Sequence, residues 1–104
     1  MYIQFVYNNR MFEWDERKRK ANLTKHDVDF ETASHVFNGT VIEIPDMRHD
    51  HGEPRIGVYG EVSGEVLFVI YTWRGRRRRI ISARKAGRDE AKLYRVAVGQ
   101  RKPH

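Results

Sequence analysis

Val66-Leu-Phe-Val-Ile-Tyr-Thr-Trp73, and after Arg74-Gly75 the run Arg76-Arg-Arg-Arg-Ile-Ile-Ser-Ala83, decide the fold. The first run is apolar on both alternating faces, so it reads as a central strand covered by a helix on at least one side. Arg74-Gly75 is a turn signal, and Arg77 to Ala83 reads as the next strand. Upstream, Arg55 to Glu61 ends before the turn Ser63-Gly64, and Thr40 to Ile44 has strand composition. Connections this short predict an antiparallel meander of four strands. Strict alternation in the last strand puts Arg77, Arg79, Ile81 and Ala83 on one face and Arg78, Ile80, Ser82 and Arg84 on the other.

The rest of the chain reads as helices around that sheet. Tyr2 to Tyr7 and Phe12-Glu-Trp14, separated by Asn8-Asn9, predict one or two short N-terminal strands. Asp15 is a good N-cap for a polar helix over Glu16 to His26, whose acidic start and basic end suit the helix dipole. Asp27 or Asp29 can cap a second helix, with Phe30, Ala33 and Phe37 as its apolar stripe and Asn38-Gly39 as its stop. A terminal helix from about Gly87 to Val98 is expected to bury Leu93, Val96 and Ala97. The fold class is α+β: an N-terminal strand and two helices, a four-strand antiparallel sheet and a C-terminal helix, in one domain over residues 1–104.

Composition narrows the function. The 104 residues hold 20 Lys+Arg against 14 Asp+Glu, a formal charge of +6, and no cysteine. That excludes disulfide staples, thiolate zinc sites and a cysteine nucleophile. The chain has no 20-residue apolar stretch and no secretion signal, so a cytoplasmic location away from membranes is expected. Residues 1–71 carry a net −4 and residues 72–104 a net +10, with 14 arginines against 6 lysines overall. Five arginines within Arg74 to Arg79 repel one another, an odd choice for mere solubility, and the planar guanidinium suits bidentate contact with phosphate or carboxylate. The expected partner is a polyanion, a nucleic acid or an acidic protein.

Several residues can carry chemistry. The loop Pro45 to Arg55 gathers Asp46, His49, Asp50, His51 and Glu53. It is open to three readings: a metal site, whose ligand spacing matches no strong zinc pattern; a general acid or base at His49 or His51; or a solvated polar loop. Cleavage of RNA by its own 2′-hydroxyl needs a base, an acid and positive charge on the phosphorane. Lys25, Arg55, Arg79 and Arg84 can supply that charge without a metal, or each can sit in an ordinary pair with a carboxylate such as Glu53 or Glu90. Trp73 and Tyr94 can stack bases or pack in the core, and Arg76, Arg77, Arg78 and Arg88 can hold RNA phosphates. No glycine-rich phosphate loop or serine-hydrolase elbow is present.

Phe12-Glu-Trp-Asp15, Ala21-Asn22, Lys25-His26, Val28-Asp-Phe30, Ala33 and Val36-Phe37 resemble the first half of the BrnT family of type II toxins. Glu53-x-Arg55, Gly60, the long apolar strand, Arg79-Ile-Ile-Ser-Ala-Arg-Lys-Ala86, Arg88, Glu90 and Tyr94 resemble its second half more closely. The resemblance implies a RelE-like fold, metal-independent endoribonuclease activity that inhibits translation, and no cofactor. It also implies a ribbon-helix-helix antitoxin resembling BrnA, whose complex with the toxin binds operator DNA. The family's polar motif residues fall on Lys25, His26, Glu53, Arg55, Arg79, Ser82, Arg84, Glu90 and Tyr94. A glycine usually follows the Lys-His pair in that family, and Asp27 stands there in this chain. The first residues, about 1 to 11, precede the usual family start and read as a possible N-terminal extension. A non-enzymatic basic nucleic-acid-binding module is the alternative reading, because it shares the cationic face.

Overall fold

The computed structural model describes residues 1–7, 9–46 and 52–101. Its elements in chain order are β1 (Tyr2–Tyr7), β2 (Arg10–Asp15), α1 (Glu16–His26), α2 (Phe30–Ser34), a 3₁₀ turn at His35–Asn38, β3 (Ile42–Asp46), β4 (Arg55–Val62), β5 (Glu65–Arg74), β6 (Arg77–Lys85) and α3 (Arg88–Arg101). The six strands form one sheet in the order β1-β2-β6-β5-β4-β3. The four antiparallel strands expected from sequence are β3 to β6, with the long apolar run at β5 in the interior. The expected four-strand limit is corrected, because the β1–β2 hairpin joins the same sheet through β2, which pairs parallel to β6 at Phe12↔Arg78 and Glu13↔Arg79. That junction ties residues 66 positions apart and leaves no local periodicity to read.

One face of the sheet carries the core. Phe12, Trp14, Val58, Leu67, Val69, Tyr71, Ile80 and Ala83 are buried there against Phe30, Ala33, Val36 and Phe37 from α2 and the turn after it. The close approach is set by Gly60, where a Cβ would lie 2.6 Å from Cβ of Val36. Asp29 caps α2 by accepting from the Glu31 amide at 3.0 Å, and Asp15 caps α1 by accepting from the Arg17 amide at 2.8 Å. Asp27 ends α1 in the left-handed conformation, φ 57°, with its amide donating to the Leu23 carbonyl at 2.9 Å. It thus adopts the backbone shape that glycine takes at no steric cost.

Past the short β2 pairing, the outer edge of β6 is met by a side chain. Asn22 of α1 accepts from the Ala83 amide at 3.1 Å and donates to the Ala83 carbonyl at 2.8 Å and the Val28 carbonyl at 2.9 Å. Its carboxamide stands in for a neighbouring strand's peptide group and fixes α1 beside the sheet.

Two expectations about side-chain direction are corrected. Leu93 and Val96 are exposed on α3, at 70% and 51%. The helix is instead anchored by buried Tyr94, whose hydroxyl donates to the Thr40 carbonyl at 2.6 Å. In β6 the alternation breaks: Ile70 pairs with Ser82 but Tyr71 with Ile80, which leaves Ile81 as a bulge. Ile80 and Ala83, three residues apart, therefore both face the core, and Arg79, Ser82 and Arg84 all lie on the opposite face. No described helix is long and apolar enough to cross a membrane.

Candidate functional site

The face of the sheet away from the core is where the cations gather, and the register orders them in rows. Arg84, Phe68 and Tyr59 lie side by side across β6, β5 and β4. The next row is Ser82, Ile70, Gly57 and Ile44. The row after that has Arg79 beside Thr72, with Arg55 one residue before the Ile56↔Tyr71 pair. At about 3.3 Å per residue, Arg79 and Arg84 are roughly 15 Å apart along the strand, so they mark two ends of one surface.

A cavity of about 350 Å³ occupies the end near Arg84, lined by His26, Ile44, Pro45, Gly57, Phe68, Ile70, Ser82, Ala83 and Arg84. Its floor exists because position 57 has no side chain: a Cβ there would lie 2.5 Å from Cζ of Phe68. Phe68 in turn lies under Arg84, whose guanidinium carbon is 4.9 Å from the ring centroid. Arg84 is gripped by Glu90 through two hydrogen bonds of 2.9 Å. Glu90 also accepts from the Tyr59 hydroxyl and, at 2.8 Å, from the Gly87 amide. The Arg84 guanidinium, then Tyr59 and the Gly87 amide, hold the Glu90 carboxyl at about 2, well below its ordinary 4.5. Burial, then the bond to Glu90, pushes the Tyr59 hydroxyl up.

The other end is a smaller cavity of about 100 Å³ lined by Tyr2, Asp15, Lys18, Glu53, Arg55, Arg74, Arg79, Ile80 and Ile81. Buried Glu13 accepts from Arg79 Nε at 2.7 Å and lies 2.5 Å from Nη2, which aims the remaining edge of that guanidinium toward Tyr2. Arg74 pairs with Glu53 at 2.7 Å, and Thr72 Oγ1 donates to the Pro54 carbonyl at 2.6 Å, which ties the strand to the segment before Arg55.

Of the residues singled out from sequence, His26, Arg55, Arg79 and Arg84 come together on this face. Lys25 is exposed on the last turn of α1 and lines neither cavity. His49 and His51 lie outside the described residues. Arg78 is on the core-side face, stacked on Phe37 at 4.3 Å, Trp73 at 4.6 Å and Tyr71 at 5.4 Å. Trp73, 45% exposed, is therefore already engaged by a cation. Arg76 and Arg88 are exposed, Arg77 is half-buried opposite Arg74, and the Tyr94 ring is buried. Sequence reasoning gave no part to Glu13, Gly57, Tyr59 or Tyr2. The alternation Phe12-Glu13-Trp14 does mark Glu13 as facing away from its apolar neighbours, but nothing local announces its partner.

Residues 14–90 match the family described as ribonuclease toxin, BrnT, of type II toxin-antitoxin system. The chain belongs to the BrnT family. None of the curated proteins compared with it matches significantly. The matched region contains His26, Arg55, Arg79, Ser82, Arg84 and Glu90, whereas β1 and most of β2 lie before it. Membership in a BrnT toxin family implies an RNA target and an antitoxin partner.

Proposed function

We propose that this BrnT-family protein is a metal-independent endoribonuclease whose RNA cleavage inhibits translation. The observation that carries the reading is the bulge at Ile81, which brings Arg79, Ser82 and Arg84 onto one face beside Arg55 and the His26-lined cavity. In the reaction, the 2′-oxygen bonds to the adjacent phosphorus and the bond from phosphorus to the 5′-oxygen breaks. The products are a 2′,3′-cyclic phosphate and a 5′-hydroxyl. His26 is the described side chain suited to take up or deliver a proton in the cavity, and His49 or His51 carries the second proton transfer. Arg84, kept in place by Glu90 and Phe68, faces the charge that grows on the phosphorane. Arg55 and Arg79, at the far end, hold the strand, and Lys25, exposed beside His26 on the last turn of α1, adds positive charge nearby.

The RelE-like classification, the cytoplasmic location and a ribbon-helix-helix antitoxin, with operator DNA contacted only through the complex, rest on the family resemblance and belong to the same proposal. Incubating the purified protein with single-stranded RNA in excess chelator tests it. Fragments ending in 2′,3′-cyclic phosphate are expected, and intact RNA bound to the protein would favour the non-enzymatic binding module.

A further inference from the structure

The β1 strand lies before the family-matched region, yet the fold carries its first residue into the cationic surface. Tyr2 pairs with Asp15 across the hairpin, and β2 lies directly beside β6. Ile3 and Phe5, the alternate residues, pack toward the core, which leaves Tyr2 on the cationic side of the sheet. The Arg79 guanidinium carbon is 4.2 Å from the centroid of the Tyr2 ring, and Arg79 Nη1 is 3.5 Å from its hydroxyl. Tyr2 is 51% exposed even with the guanidinium against its ring, so the residue stays accessible to a ligand at this surface. Arg55, Arg74 and Lys18 line the same small cavity together with the carboxylates Asp15 and Glu53, of which Glu53 is paired to Arg74.

A flat aromatic ring beside converging cations matches two parts of a nucleotide at once, the π-face of a base and the charge of its phosphate. A base within a duplex keeps both faces in its own stack, so the arrangement selects an unpaired one. We propose that Tyr2 is the platform of a nucleobase subsite for single-stranded RNA, flanking the cavity at His26 and Arg84. Arg79 stiffens the platform from behind, and Arg55 takes the adjoining phosphate. Glu13 is a positioning residue that acts through Arg79. This inference rests on the proposed ribonuclease reading and adds where the strand is held away from the scissile bond.

The test uses the full chain and two uncleavable probes of equal length: a 2′-O-methyl oligouridylate, and an abasic 2′-O-methyl oligomer with the same phosphates and no bases. Tyr2→Ala and Tyr2→Leu, the latter keeping apolar bulk on the strand, are expected to weaken oligouridylate binding about tenfold. Both should leave abasic binding unchanged, and Tyr2→Phe should bind both probes like the wild type. Equal affinity of the wild type and Tyr2→Leu for oligouridylate, with wild-type RNA cleavage intact, overturns the subsite while sparing the ribonuclease reading. Tighter binding by Tyr2→Ala also overturns it, since the ring would then be covering Arg79 rather than serving a base. A wild type that neither binds nor cleaves RNA overturns the ribonuclease reading and the subsite together.

Discussion

Arg84 and Glu90 face each other fork to fork: Nη1 bonds Oε1 and Nη2 bonds Oε2, each at 2.9 Å, across the junction of β6 and α3. The pair fixes the plane of the guanidinium at the mouth of the larger cavity, and the Tyr59 hydroxyl and Gly87 amide hold the carboxylate from its other sides. Breaking the fork is expected to change the chemistry more than the binding. Glu90→Gln keeps the shape but loses the charge, so kcat for RNA cleavage should fall about tenfold while KM changes little. A KM rise with unchanged kcat would show that Glu90 serves binding alone.

The same carboxylate gives a pH dependence of stability. Its folded value, about 2, lies below the ordinary 4.5, so the unfolded chain takes up the proton first as the solution is acidified. Its contribution is complete above about pH 4.5 and is lost as pH falls from there through about 2. Urea melts of wild type and Glu90→Gln should therefore differ at pH 6 and converge toward pH 2. A difference that persists at pH 2 would refute this linkage.

Gly57 is expected to be intolerant of any side chain. A Cβ at 2.5 Å from Phe68 Cζ forces the ring to move, and Arg84 rests on that ring. Gly57→Ala should lose most cleavage and about 1 to 3 kcal/mol of stability through overpacking. Adding Phe68→Leu should restore part of the stability without restoring cleavage, as denaturation and RNA assays on the pair of variants can show.

Arg78 and Arg79 are neighbours on opposite faces of β6. Arg79→Ala should weaken RNA binding and its salt dependence, and should also lower stability because it leaves buried Glu13 without its cation. Arg78→Ala, which empties the stack between Phe37 and Trp73, should cost about 1 to 2 kcal/mol of stability and leave RNA affinity near wild type. RNA affinity lost in Arg78→Ala and kept in Arg79→Ala would refute the assignment of faces.

Asn22→Ala removes both bonds to Ala83 at once and strands a buried amide and carbonyl. A loss of about 3 kcal/mol is expected in urea or thermal denaturation.

Local rules carried much of the fold. Asp15 and Asp29 cap as their positions suggest, the turns fall at Ser63-Gly64 and Arg74-Gly75, and the apolar run from Val66 to Trp73 is an interior strand. Two features had no local signature. One extra residue at Ile81 reverses every side chain after it, so strict alternation separated Arg79 from Arg84 when the folded strand unites them. The pairing of Glu13 with Arg79 is nonlocal, so neither the sheet's fifth and sixth strands nor the setting of Arg79 could be read from spacing. His26, Arg55, Arg79 and Arg84 were nonetheless singled out, by residue type and family pattern rather than by geometry.

The parallel seam between β2 and β6 also bears on how the protein comes into being. A chain emerging from the ribosome presents the N-terminal hairpin first, but its partner strand is among the last segments made. A two-stranded hairpin alone is marginal in water, and β1 and β2 have no place in the sheet before β6 has been synthesised. The apolar side chains of Phe5, Phe12 and Trp14 are without a home for that interval. Arg79 likewise has neither Glu13 nor Tyr2 beside it until β6 exists, so that end of the cationic surface cannot form before most of the chain has been made.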